Sequence, residues 1–304
     1  MTNLPHTESG VRGRLIEGKA VAEQIHADTA DRVLGLSRRG IRPRLIFIRV
    51  GEDAASRVYV GMKEKTAARL GISSDTVVLP VSTAESELLG LISKLNEDAG
   101  VHGILVQAPL PAHIRETRVY SSVNPAKDVD GFHPVNVGKL MLGDASGFVP
   151  CTPGGIHELL NRSGVSLPGA EVVVLGRGNI VGKPMAAILI QKDRSANATV
   201  TLCHSGTRGL EAHCLRADIL IAAMGVPCFV RADMVKPGAV VVDVGVSRVP
   251  DANSATGSRL VGDVEFEQLL PVVSMITPNP GGVGPMTIAM LMRNTVRATE
   301  LATA

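Results

Sequence analysis

The chain has 304 residues, 45% of them apolar, and its 31 basic and 29 acidic side chains leave a formal charge of +2. That is enough chain for two domains of ordinary size with packed cores. Near-neutral charge, no long basic run and only 2% aromatic residues leave little with which to hold nucleic acid by phosphate contacts and base stacking.

The first ten residues, MTNLPHTESG, lack the apolar stretch of a signal peptide and are expected to be disordered. Residues 17–39 carry apolar side chains at helical spacing. RPRLIFIRVG (42–51) reads as a buried strand ending in glycine, and SRVYVGMKEKTAARLG (56–71) as a helix closed by Gly71. DTVVLPV is a strand. ESELLGLISKLNED is a helix with acidic residues in its first turn, and VHGILVQAPLP is a strand that stops at prolines. This βαβαβ order implies a parallel sheet with right-handed crossovers. Residues 124–155 are rich in Gly, Pro and Asp, and a domain boundary is set at 148–152.

A second alternating series follows: AEVVVLG, ATVTLCHS, ADILIAAMG, AVVVDVGV and VVSMITP. Continuous apolar runs of this kind suit strands buried on both faces. The tail, GPMTIAMLMRNTVRATELAT, reads as one amphipathic helix. No apolar stretch reaches the ~18 residues of a membrane span. Cys151, Cys203, Cys214 and Cys228 show no C-x-x-C spacing, so neither a metal site nor a redox pair is indicated. A cytoplasmic protein with reduced thiols is expected.

Several residues stand out as carriers of chemistry. Gly176, Gly178 and Gly182 form G-x-G-x-x-x-G, one residue longer than the usual dinucleotide fingerprint, between a strand and a helix. Unpaired N–H groups and the helix dipole there suit a pyrophosphate; the alternative is a tight turn that binds nothing. The next strand ends in Cys203, His204 and Ser205 without a carboxylate, and Arg177 sits inside the loop. That combination suits the 2′-phosphate of NADP better than the bare ribose of NAD, unless Arg177 is merely a solvated surface residue. Tyr59 and Lys63, four apart, share one helix face. Gln107 ends an otherwise apolar strand, where a parallel sheet opens to ligand. Asp128 and Asp130 lie in the loop DVDGFHP, and TPNPGGVGPMT is too dense in Gly and Pro for an ordinary connection.

Taken together, VGEDAASRVYVGMKEKTAARLGI, GILVQAPLP, NPAKDVDGFHPVNVGKL, PCTPGGI, GRGNIVGKPMA, KPGAVVVDVGV, LVGDVEF and ITPNPGGVGPMTIAML give the chain its resemblance, over nearly its whole length, to the bifunctional methylenetetrahydrofolate dehydrogenase/cyclohydrolases, the FolD family. The resemblance implies an α/β protein of two domains flanking a cleft. A folate-binding catalytic domain would take residues 11–150 plus the terminal helix 283–304, and a Rossmann-type NADP-binding domain residues 151–282. It implies oxidation of 5,10-methylenetetrahydrofolate by NADP and hydrolysis of the 5,10-methenyl product to 10-formyltetrahydrofolate. In that scheme Lys63 is the catalytic lysine, Tyr59 packs on the folate, Gln107 orients both and Asp130 anchors the pterin. Gly176, Gly178 and Val246 line the cofactor, Arg177 and Ser205 meet its adenosine phosphate, and Pro280, Gly281 and Gly282 border the folate. No metal is required, and a homodimer paired through the NADP-binding domain is implied. Three positions depart from the family pattern: Gly178 in place of a serine, Ala108 after Gln107, and Asn279, a polar group expected near the folate. Two rivals stay open: another NADP oxidoreductase with a catalytic lysine, of the shikimate-dehydrogenase kind, and a catalytically silent nucleotide-binding regulator.

Overall fold

The computed structural model describes residues 13–251, 254 and 257–304; the terminal segment 1–10, expected to be disordered, lies outside them. The described chain opens with β1 (Arg14–Leu15) and α1 (Gly18–Arg38), which buries Val21, Ala22, Ile25, Val33 and Leu36 on one face. Then come β2 (Arg44–Val50), α2 (Ala54–Arg69), β3 (Ser73–Leu79), α3 (Glu85–Glu97) and β4 (Gly103–Val106). Asp53 starts α2 by accepting from the Ser56 N–H at 2.7 Å, as an N-cap carboxylate should. The three strands form a parallel sheet in the order β3-β2-β4, in agreement with the expected βαβαβ unit.

The Gly/Pro-dense stretch is not the loose connection its composition suggests. It holds α4 (Glu116–Ser122), α5 (Pro134–Leu142) and α6 (Cys151–Arg162). The prolines start helices here rather than break them. Pro134 and Pro153 sit in first turns, where the missing N–H is no loss. Gly143 closes α5 at φ 73°, a left-handed cap that glycine takes without strain.

The second unit comprises β5 (Glu171–Leu175), α7 (Gly182–Leu189), β6 (Thr199–Cys203), α8 (Leu210–Cys214), β7 (Ile219–Ala222), β8 (Val240–Asp243), the antiparallel ribbon β9 (Ser247–Pro250) and β10 (Ser258–Val261), α9 (Phe266–Leu269) and β11 (Met275–Ile276). Its sheet is parallel throughout, in the order β6-β5-β7-β8-β11-β1. β5, β7 and β8 bury Val, Leu, Ile and Ala on both faces, as their continuous apolar runs require. The chain runs from β5 outward to β6, then returns to β7 on the other side. That reversal opens a crevice beyond the carboxyl ends of β5 and β7, where sheets of this kind take ligands.

Two elements cross between the units. Arg14 and Leu15, placed with the first unit on sequence order, pair with Met275 and Ile276 and complete the edge of the second sheet. α10 (Val283–Ala302) returns to pack between α1 and α6. It is therefore buried on most sides, including Met286, Leu291, Met292, Asn294, Thr295 and Thr299, and is not the one-faced amphipathic helix its sequence suggests. Among the described residues no helix is long and apolar enough to cross a membrane.

Candidate functional site

Tyr59 and Lys63 lie on the face of α2 turned toward the cleft. Lys63 is only 4% exposed. Its Nζ donates to Gln107 Oε1 at 2.9 Å and lies 4.6 Å from the centroid of the Tyr59 ring. Gln107 follows β4 and is held from both ends of its amide, since its Nε2 donates to the Ala108 carbonyl at 2.7 Å. The same carbonyl receives Ser56 Oγ at 3.4 Å. At Ala108, one of the positions that depart from the family pattern, the backbone carbonyl thus serves both Gln107 and Ser56.

The two loop carboxylates separate clearly. Asp128 is buried and saturated: it accepts from the N–H groups of Gly131 and Phe132 at 3.2 Å, from that of His133 at 2.8 Å and from Asn136 Nδ2 at 2.8 Å. It shapes the loop before α5, whose first turn is capped by the His133 ring accepting the Val135 N–H at 3.1 Å. Asp130 instead faces Lys63 and Cys151. Burial drives the Asp130 carboxyl above its ordinary range, the charge of Asp128 adds to that, and Lys63 opposes both. Burial likewise drives the Lys63 ammonium below the ordinary lysine range, against the pull of Asp130. A base and an acid that are each reluctant to carry charge face one another, which is how environments set up proton transfer near neutrality.

Cys151 and Thr287 complete this cluster, and neither was singled out from the sequence. The Cys151 thiol donates to the Val129 carbonyl at 3.3 Å, and burial beside Asp130 pushes it well above its usual range. Thr287, from α10, bonds the Tyr59 side chain and lies 3.1 Å from Thr152 Oγ1. Burial pushes the Tyr59 phenol up, so it stays protonated. Cys151 sits in a Pro/Gly motif read as loop, and Thr287 in a helix read only for its apolar spacing. No local signal marks either of them.

Pro280, Gly281 and Gly282 form the turn into α10. Gly281 takes φ +110°, its carbonyl accepts the Lys19 N–H at 3.1 Å, and a Cβ on Gly18 would collide with the Gly282 carbonyl. The Asn279 amide does not face into the cleft as an added polar group. It donates to the carbonyl of Gly245 in the second unit, and so ties the turn before α10 to the loop after β8.

In the second unit, Gly176 follows β5 at φ +107°, and a Cβ there would strike the Ala223 carbonyl; one on Gly182 would strike the Gly176 carbonyl. These two glycines let strand, loop and helix close together. Gly178 differs, because a Cβ there meets nothing within 4 Å. The N–H groups of Arg177 to Val181 find no protein acceptor among the described residues. They precede the start of α7, so the loop presents free donors at a helix N-terminus. Arg177 and Ser205 are both exposed and stand two residues beyond Leu175 and Cys203, which pair across β5 and β6. Thr207 Oγ1 accepts the His204 N–H at 2.8 Å and shapes the turn that carries Ser205. Val246 is 66% exposed in the loop between β8 and β9. This donor set, with two hydroxyl or guanidinium groups and no carboxylate at its edge, fits a phosphorylated dinucleotide. The Tyr59–Lys63–Gln107–Asp130 group and the Gly176–Val246 group are separate clusters, one in each unit.

Comparison with known proteins bears on both clusters. The family profile for the tetrahydrofolate dehydrogenase/cyclohydrolase catalytic domain matches residues 16–130, and that for the NAD(P)-binding domain of the same family matches residues 150–303. The chain is 53% identical over 290 residues to the bifunctional protein FolD of Syntrophobacter fumaroxidans, covering 95% of this chain and 97% of that one. Among solved structures it is similar to the bifunctional FolD enzyme of Campylobacter jejuni, with TM-score 0.89, 45% identity and coverage of 94% and 98%. It is also similar to the Trypanosoma brucei dehydrogenase-cyclohydrolase complexed with NADP and an inhibitor, with TM-score 0.90, 40% identity and coverage of 96% and 99%.

Proposed function

The chain belongs to the tetrahydrofolate dehydrogenase/cyclohydrolase family, and from that premise we propose that it oxidises 5,10-methylenetetrahydrofolate with NADP and hydrolyses the resulting 5,10-methenyltetrahydrofolate to 10-formyltetrahydrofolate. The observation that carries this reading is the buried Lys63, bonded to Gln107 at 2.9 Å, stacked on Tyr59 and facing Asp130.

Asp130 presents two acceptor oxygens to the pterin edge, whose ring N–H and exocyclic amine are adjacent donors. Tyr59 packs its ring on the folate, and Gln107 and the turn Pro280 to Gly282 close the pocket. The bound nicotinamide supplies a hydride acceptor. For that step the chain contributes alignment, since the folate nitrogen lone pair drives hydride loss without a side-chain proton. The cofactor would be held by the free N–H groups of Arg177 to Val181 around Gly176 and Gly178, by Arg177 and Ser205 at the 2′-phosphate, and by Val246 on its exposed flank.

Hydrolysis needs a proton carrier. Water attacks the cationic methenyl carbon and one of its protons passes to the neutral amine of Lys63; as the bond from that carbon to one folate nitrogen breaks, Lys63 returns the proton to that nitrogen and the remaining hydroxyl proton leaves to solvent, which forms the formyl C=O. Burial lowers the Lys63 ammonium below the ordinary lysine range, which favours the neutral amine, and Gln107 aims it.

In domain terms, α10 goes with the catalytic unit because it packs on α1 and gives Thr287 to Tyr59. We read the protein as a cytoplasmic homodimer paired through the NADP-binding domain. The sheet edge at β6 is unpaired among the described residues, and Val200 and Leu202 there are half-buried. Light scattering at twice the 31.8 kDa chain mass and cell fractionation test these two points. The activity is tested by following NADPH formation from methylenetetrahydrofolate and NADP, then loss of the near-ultraviolet absorbance of methenyltetrahydrofolate. Absence of both signals from folded protein refutes the reading.

A further inference from the structure

Two carboxylates that the proposed chemistry does not use are buried behind the cofactor crevice. Asp243 ends β8. Its Oδ1 accepts the N–H of Gly245 at 3.1 Å and that of Asp263 at 2.8 Å. Asp263, just beyond β10, is fully buried, and its Oδ2 accepts the N–H groups of Met224 at 2.6 Å and Gly225 at 2.9 Å, in the loop after β7. The packing is reciprocal. A Cβ on Gly245 would run into Asp263 Oδ1, and a Cβ on Gly262 would run into Asp243 Oδ2. Each acid therefore occupies the space that a glycine beside the other leaves open. Asp263 Oδ1 has no hydrogen-bond partner among the described residues.

The pair thus holds both loops that frame one end of the crevice: Ala223 to Gly225 after β7, and Val244 to Val246 after β8. The phosphate loop lies over β5, and Arg177 and Ser205 mark the adenosine side at β5 and β6. The nicotinamide half consequently faces β7 and β8, on the other side of the reversal.

We propose that Asp243 and Asp263 are positioning residues for the nicotinamide half of the cofactor, and that their unshared negative charge makes the site favour the oxidised, cationic ring over the reduced, neutral one. This rests on the NADP reading above. The pair is well suited to discriminate because no cationic side chain among the described residues is bonded to it. The groups facing the Asp243 carboxyl are the Asp263 carboxylate and the N–H groups of Gly245, Asp263 and Val264, while the uncharged Thr277 hydroxyl beyond β11 accepts the Asp243 backbone N–H. Met224 and Gly225 bring only N–H groups to Asp263. Burial, helped by the charge of Asp263, raises Asp243 to about 6. A cation arriving nearby stabilises the ionised pair, so it pulls that value down. By linkage the oxidised form must then bind more tightly as pH rises through 6, while the reduced form does not.

The experiment measures Kd for NADP and NADPH on the intact protein from pH 5 to 7.5, by NADPH fluorescence and calorimetry. Titration of the 2′-phosphate is common to both forms and cancels in the ratio of the two constants. The expected result is that Kd(NADP)/Kd(NADPH) falls about 3- to 10-fold across this range, the scale of a modest site-to-site coupling. In Asp243→Asn the ratio should be flat and should stay at its acid-side value. A flat ratio in the wild type overturns the inference by itself and leaves the cofactor reading standing, and that measurement needs no folded variant. A slope that persists unchanged in Asp243→Asn, with an intact melting transition, assigns it to another group and also overturns the inference. Failure of the wild type to bind either form overturns the cofactor reading and the inference together.

Discussion

Replacing Lys63 with methionine separates the two reactions assigned to one pocket. Methionine keeps the length and apolar stem of lysine but carries no proton and no charge. The structure sets the cost. The Oε1 of the half-buried Gln107 loses the donor that now sits at 2.9 Å, a penalty of at most about 1–3 kcal/mol. The contact over the Tyr59 ring, worth about 0.5–2 kcal/mol, is lost as well. Against this, the fold no longer has to desolvate an ammonium that is 4% exposed. The opposing terms are comparable, so the variant should fold and melt within a few degrees of the wild type. Hydrolysis of methenyltetrahydrofolate should fall about 10²- to 10⁴-fold, the usual share of general acid–base catalysis, which is about 2.7–5.4 kcal/mol in the barrier. The dehydrogenase step should fall less than about tenfold, because it asks for alignment and moves no proton through a side chain. The methenyl compound should then accumulate during turnover, visible by its near-ultraviolet absorbance in one preparation assayed for both steps. In the wild type, hydrolysis should rise with pH through a group below the ordinary lysine range, since the neutral amine takes the proton; in Lys63→Met that limb should vanish. Equal collapse of both steps in a folded variant refutes the relay and makes Lys63 a binding residue. No change in either refutes its involvement.

The remaining predictions concern the two ends of the cleft. Arg177→Ala should raise KM for NADP about 10- to 150-fold, the equivalent of a charge-assisted contact of about 1.5–3 kcal/mol, and leave KM for NAD nearly unchanged; equal losses in initial-rate assays would remove Arg177 from the 2′-phosphate. Asp130→Asn turns an acceptor into a donor facing a donor, so both activities should fall together with weaker folate binding by calorimetry, whereas Asp128→Asn should lower the melting temperature, because it replaces the oxygen that accepts two of the four hydrogen bonds shaping the loop with a donor. Gly178→Ser should be accepted without loss of stability and tighten NADP, since a side chain there meets open space; Gly176→Ala should disrupt the nucleotide loop, because its Cβ would strike the Ala223 carbonyl. Fluorescence titration of NADPH compares the two glycine variants directly.

Much of the fold was legible because burial on both faces writes a continuous apolar run. β5, β7 and β8 announce themselves in VVVL, ILIA and VVVD, α1 and α3 follow from helical spacing, with Glu85 and Glu87 in the first turn of α3, and α2 begins two residues before the spacing at Ser56 suggests, where Asp53 caps it. The segment between the two sheets was not legible for a specific reason. Pro and Gly were weighted as breakers, yet Pro134 and Pro153 occupy first turns and Gly143 a cap, the positions in which those residues favour helices. β1 is two residues long and gains its stability from Met275 and Ile276, so no pattern within it could reveal it. The burial of α10 on both sides follows from the helices that close over it, α1 and α6, which lie far from it in sequence.

The candidate site divides along the same line between local and tertiary information. Tyr59 and Lys63 meet because residues four apart share a helix face, and Gln107 points inward because it ends an apolar strand; both facts are local. The choice between Asp128 and Asp130 is not. Both are carboxylates in one short loop, and only the fold shows that every donor in reach, three backbone N–H groups and the Asn136 amide, converges on Asp128. Asp130 is left with Lys63 and a thiol. Asn279 makes the same point in reverse. A polar residue in a Gly/Pro turn near a binding cleft suggests contact with ligand, but its amide needs an acceptor, and the nearest is the Gly245 carbonyl of the other unit. That bond joins the turn bordering the folate to the loop that carries Val246. The two clusters are therefore connected through a residue whose departure from the family pattern, judged from sequence alone, looked like a disturbance of the folate pocket.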